Sequence, residues 1–185
     1  MTDDQLDLSN CLVVQVDQDT LITIKKSDLT TTKYSNLRKV SDSLKRTSDV
    51  DKPKIARTDL AKPNLNANAT AATLVGTNMI FVTTAHKSIY GYDLETNEWI
   101  IMLLEMNEAR QGMHSLYAVG TKLYVFGGSS DSIEVLDLES HELVWQNVRV
   151  PSLSMLDLSN PIVVQQAADK MLIIGEDKAN NRGSV

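Results

Sequence analysis

The chain has 185 residues, a formal net charge of −6 and a single cysteine, Cys11; that length holds one domain or slightly more, with enough chain to bury a core. Its basic residues are scattered except around 38–54, so no stripe is available to neutralise a phosphate backbone and nucleic acid is disfavoured as a direct ligand. One cysteine permits no internal disulfide, the start carries no basic and apolar leader, and the longest apolar stretches, 100–104 and 171–174, fall far below the roughly 20 residues that cross a bilayer; the expectation is an intracellular, cytoplasmic protein without membrane insertion.

Short, β-branched apolar runs bounded by polar or glycine turns predict antiparallel strands. In chain order, Leu12 to Gln15 leads through Asp17-Gln18-Asp19 to Leu21 to Ile24, and Ala72 to Val75 leads through Gly76-Thr77-Asn78 to Met79 to Val82. Leu116 to Val119 then turns at Gly120-Thr121-Lys122 into Leu123 to Phe126, and Ile162 to Gln165 turns into Met171 to Ile174. The second strands of these hairpins begin at spacings of 58, 44 and 48 residues, and a repeat of about 40–50 residues is that of a four-stranded propeller blade.

The two middle units supply a second hairpin each. Asp93 and Asp137 close a strand ahead of a polar turn, and Trp99 and Trp145 follow; an Asx side chain can bond the turning backbone while the indole packs on the sheet. The longer first spacing reads as an insertion rich in Ser, Asp, Lys, Asn and Thr, with Pro53 and Pro63, too poor in apolar residues to repay its ordering entropy. The alternative is an extended arm anchored by Ile55, Leu60 and Leu65. The resulting division is a partial blade (1–38), a polar loop or linker (39–65), blades at 66–104 and 105–150, a partial blade at 151–176 and a flexible tail at 177–185. Repeated patterning places Leu74, Val75, Ile80, Val82, Leu116, Val119, Val125 and Val135 in the core.

The third unit, with Arg110-Gln111-Gly112-Met113-His114, then Gly120, Gly127-Gly128, Asp137 and Trp145, resembles a kelch repeat; the second retains Gly76, Tyr92, Asp93 and Trp99 but has Thr83-Thr84 where the paired glycines belong. The resemblance implies an all-β fold of kelch-like propeller blades. Two fuller units and two partial ones imply an incomplete or partner-completed propeller, because uncovered sheet edges and faces are costly. Gly120, Gly127, Gly128, Tyr92, Asp93, Trp99, His114, Asp137 and Trp145 are then structural positions, and Gly127-Gly128 ends a strand where backbone must approach closely.

Three scattered histidines and one cysteine make no compact ligand motif, so neither a metal nor another cofactor is expected. The function implied is a non-catalytic protein-interaction or scaffold module in a larger complex, its partner another protein or further propeller segments, with a homo-oligomer left open. Arg110, Gln111, Met113, Ser129 and Asp131 are the candidate partner-binding residues, because loops on a rigid sheet carry variable chemistry; for Arg110 the favoured alternative is a salt bridge or backbone contact within the blade entry. The alternative function is a segment of a propeller enzyme acting on a carbohydrate or another small substrate.

Overall fold

The computed structural model describes residues 8, 10–37, 56–60, 68–112, 114–148, 158–167, 170–177 and 182–184. The first sheet contains β1 (Cys11–Gln15), β2 (Leu21–Lys25), β3 (Thr31–Ser35) and β4 (Ala56–Asp59), and the second contains β5 (Ala69–Val75), β6 (Met79–Thr84), β7 (Ser88–Asp93) and β8 (Glu98–Glu105). The third contains β9 (His114–Val119), β10 (Lys122–Gly127), β11 (Ser130–Asp137) and β12 (Gln146–Val148). The fourth has three strands, β13 (Leu158–Ala167), β14 (Lys170–Asp177) and β15 (Arg182–Ser184). Every sheet is an antiparallel meander in chain order. Because β1, β5, β9 and β13 lie side by side in that sequence, the sheets radiate from their first strands as blades do.

Two-sided burial holds the sheets together. Side chains alternate between the faces of a strand, and on β6 this sends Ile80 and Val82 into a core shared with Val14, Ile22, Ile24 and Leu29 of the first unit. Phe81, between them, enters a separate core with Leu116, Leu123, Val125 and Leu136 of the third. Strands covered on both faces carry apolar residues at successive positions, as Ile80-Phe81-Val82 does. Of the expected core residues, Ile80, Val82, Leu116 and Val125 are buried, whereas Leu74, Val75, Val119 and Val135 are half-buried. On β11 the register sets Leu136 opposite Leu123 and Glu134 opposite Val125, so those two neighbours of Val135 take the covered face.

The structure departs from the sequence reading at both ends. The stretch 39–65, expected as a polar loop, contributes β4, which pairs with β3 through Thr32↔Asp59 and Tyr34↔Arg57. Leu60 follows it, donating its N–H to Thr31 O at 2.9 Å and packing on the first core. All four residues of β4 are exposed: backbone pairing holds this strand, and hydrophobic pattern could not reveal it. The rest of the insertion, with Ile55 and Leu65, lies outside the described residues. Within the expected tail, β15 pairs with β14 through Glu176↔Gly183. Trp145, expected within a strand, precedes β12 and is 3% exposed.

The two-sided core predicts a sharp contrast between substitutions. Val125→Asp, at a fully buried site, should cost roughly 3–5 kcal/mol by burying an unpaired charge. Ile101→Asp, at a residue 59% exposed on the outer strand, should stay within about 0.5 kcal/mol. Urea denaturation of both variants checks the pair; equal midpoints would overturn the assignment of faces.

Candidate functional site: an axial cleft braced by a buried ion pair

The first strands of three neighbouring sheets enclose an open cleft of about 510 Å³, lined by residues 12–15, 70–74 and 114–118. Its wall interleaves apolar residues with polar Gln15, Thr70, Thr73, His114, Ser115 and Tyr117. A second cavity, of about 250 Å³, lies between the first and second sheets; it carries charged Asp17, Lys33 and Glu95 over an apolar floor that includes Ile22. Pockets at the meeting point of sheets, mostly apolar with a few placed polar groups, are where small ligands bind.

His114 opens β9 and is 4% exposed at the cleft wall. Its Nε2 lies 2.8 Å from Thr83 Oγ1 across the seam between the second and third sheets. Thus Thr83 of β6 bridges two sheets. The His114 Nδ1 has no well-aligned hydrogen-bond partner. Burial first, and then the positive charge of Arg110, push the imidazole down to about 4 against the opposing pull of the Arg110 main chain.

Behind His114 the chain is braced by Arg110 and Glu134, both fully buried, paired through Arg110 Nη2 and Glu134 Oε1 at 3.2 Å. Arg110 Nη1 donates to Gly127 O at 3.0 Å, and Nη2 donates to Ser132 O at 2.8 Å and Ser132 Oγ at 3.1 Å. Glu134 accepts the main-chain N–H groups of Asn107 and Glu108. Ser130 Oγ donates a short bond to Glu108, and this bond leads the influences that lower the Glu108 carboxyl. The loop between β8 and β9 is thereby tied to the hairpin of β10 and β11. Burial pulls the Arg110 guanidinium down and the Glu134 charge opposes it; a guanidinium stays protonated in proteins.

The sequence-derived positions fall into separate groups around this brace. Gly127 and Gly128 adopt φ of 84° and 76°, and a Cβ on Gly128 would meet Arg110 Cβ and Gln111 O at 3.1 Å, so Gly128 makes room for the arginine. Gly120, with φ 57°, turns β9 into β10. Asp93 Oδ1 accepts the N–H groups of Glu95 and Thr96, and Asp137 Oδ1 that of Glu139. Tyr92 is buried and tilted against Trp99 at 5.2 Å; burial, aided by the Asp93 charge, raises its hydroxyl to about 12.

Among the proposed partner contacts, Arg110 has no exposed surface to offer. Gln111 and Ser129 are exposed and joined through Gln111 N and Ser129 Oγ at 3.0 Å. Asp131 lies within β11, and Met113 lies outside the described residues. Sequence reasoning missed Glu134 as the partner of Arg110, the Thr83 bridge and the cleft itself. The signal for the first was present: one carboxylate in an otherwise apolar Ile133-Glu134-Val135-Leu136 run.

The architecture matches solved propeller structures. YjhT superposes with a TM-score of 0.63 at 15% identity over 92% of this chain, which spans 59% of the YjhT chain. PorZ, an essential bacterial surface component of the type-IX secretion system of Porphyromonas gingivalis, aligns with a TM-score of 0.45 at 16% identity over 89% of this chain and 19% of its own. No family model matches the chain, and no curated protein does. The chain is an all-β protein of propeller-like architecture.

These findings correct three expectations. The resemblance to kelch repeats reaches only the general propeller architecture, since no family model matches. The non-catalytic scaffold reading is not carried forward: the likeness to YjhT shows the fold alone and favours no such role. The intracellular, cytoplasmic expectation is withdrawn as well, since a lone cysteine fixes no compartment.

Two outcomes follow from the brace. Arg110→Met or Glu134→Leu alone should each cost about 3–5 kcal/mol, since each strands a buried polar partner. The double variant should cost less than the sum by about 2 kcal/mol; strict additivity in chemical denaturation would show that the pair is not coupled. For His114, the unfolded imidazole titrates near about 6.5 and the folded one at about 4. Below the higher value the unfolded chain binds a proton that the folded chain refuses, so this contribution is complete above about pH 6.5 and is lost as pH falls toward 4. From pH 7 to 5 the loss should be about 2 kcal/mol, and His114→Gln should flatten that slope; an unchanged slope would contradict the depressed imidazole.

Proposed function

We propose that the chain forms part of a propeller enzyme that acts on a carbohydrate or another small hydroxylated substrate, bound in the axial cleft. The observation that carries this reading is the cleft wall, where hydroxyl and amide groups from three sheets alternate with apolar side chains around about 510 Å³. Hydroxyls and amides both donate and accept, which suits a ligand presenting many hydroxyls, and the intervening apolar surface suits its C–H faces. A neutral imidazole stands behind this wall, its Nε2 held by Thr83 Oγ1 at 2.8 Å, so that it adds no charge to the cleft. Further propeller segments or a partner protein complete the ring: the described strands of the first and fourth sheets make no extensive contact with each other.

The test is a panel of mono- and oligosaccharides followed by saturation-transfer NMR, with the sugar spectra recorded over hours for new species. Binding with conversion is the expected result, and Thr73→Trp, which fills the cleft, should weaken binding at least about ten-fold, roughly 1.4 kcal/mol. No binding by any sugar would overturn the reading. Binding without conversion would overturn its enzymatic half.

A further inference from the structure

The cleft wall that this chain builds bears no lysine, arginine, aspartate or glutamate among the described residues. From this, and resting on the carbohydrate reading above, we infer that the wall selects an uncharged ligand: a neutral sugar or polyol in preference to its acidic or amino counterpart.

Three features lead to the same place. A carboxylate or phosphate entering the cleft would shed water, and a desolvated charge is costly without a partner of opposite sign. The cation whose charge reaches the His114 of this wall is Arg110, which is fully buried. Its terminal nitrogens are committed to Gly127, Ser132 and Glu134, and its charge is countered at 3.2 Å by Glu134. An anion in the cleft would therefore meet a neutralised pair behind a wall of side chains rather than a free guanidinium. An ammonium group fares no better, since both Glu134 oxygens are occupied, by Arg110 and by the N–H groups of Asn107 and Glu108. Finally, His114 is held against Thr83 in an environment that favours the neutral ring, so the imidazole brings no charge to the wall at neutral pH.

The second cavity has the opposite character. Asp17, Lys33 and Glu95 line it, and charged groups excluded from the axial cleft find counter-charges there. The two cavities share no lining residue, so ligand position can be read directly from which amides respond.

The experiment titrates the full chain at pH 7 with a neutral hexose, its 6-carboxylate and its 2-amino form, following amide shifts by heteronuclear NMR. The neutral sugar should shift residues 70–74 and 114–118, with the two charged forms at least about ten-fold weaker there. Shifts from the charged forms confined to the surroundings of Asp17, Lys33 and Glu95 would agree with the inference. Thr73→Lys should turn the preference toward the carboxylate. Gln15→Lys, at an exposed position on the cleft edge, should do the same where the first variant folds poorly. Equal or tighter cleft binding of either charged form to the unmodified chain would overturn the inference while leaving the carbohydrate reading intact. If no member of the set binds, both fall together.

Discussion

The burial of the second sheet on both faces is the constraint on which the rest of the structure depends. One strand, β6, supplies Ile80 and Val82 to one core and Phe81 to the other, so neither neighbouring sheet can be removed without exposing apolar surface. Hydrophobic burial is non-directional, but the period-2 alternation of a strand makes it directional here, fixing which side chain serves which seam. That requirement stacks the sheets side by side, and stacking brings β1, β5 and β9 together around the cleft. The cleft is thus a consequence of the packing.

A second layer of order is polar. Arg110 and Glu134 are sealed inside the third unit, and a buried ion pair is weak evidence for stability by itself because desolvation offsets most of the attraction. What the pair does is geometric. Arg110 collects Gly127, Ser132 and Glu134, while Glu134 collects the backbone of Asn107 and Glu108. Three chain segments converge on one guanidinium, and the glycine at 128 exists to let it in. His114 begins four residues beyond Arg110 and pairs with Gly127 on the neighbouring strand, so the brace reaches the cleft through backbone. The bridge to Thr83 then ties that position to the adjacent sheet. A propeller-like frame of this kind hosts many chemistries, which is why function has to be argued from the wall of the cleft rather than from the fold.

Sequence by itself determined a good deal. β-Branched runs ended by Gly76, Gly120, Asp93 and Asp137 specify hairpins because strand alternation and turn chemistry are local properties. Their spacing specifies blades. Ile80, Val82, Leu116 and Val125 are readable as core because each sits in a continuous apolar run. Tertiary structure alone decided the rest. Whether Val135 or its neighbours Glu134 and Leu136 face inward turns on a one-residue register, set by pairing with β10. The exposed strand Ala56–Asp59 is held by backbone bonds to β3, which leave no hydrophobic signature. From sequence Arg110 leaves both a partner contact and an internal salt bridge open; it becomes the fully buried centre of the brace because Glu134, 24 residues away, is carried to it by the hairpin. The cleft belongs to no segment: residues 12–15, 70–74 and 114–118 meet only once three sheets have stacked, and no local pattern encodes a surface made of parts that distant.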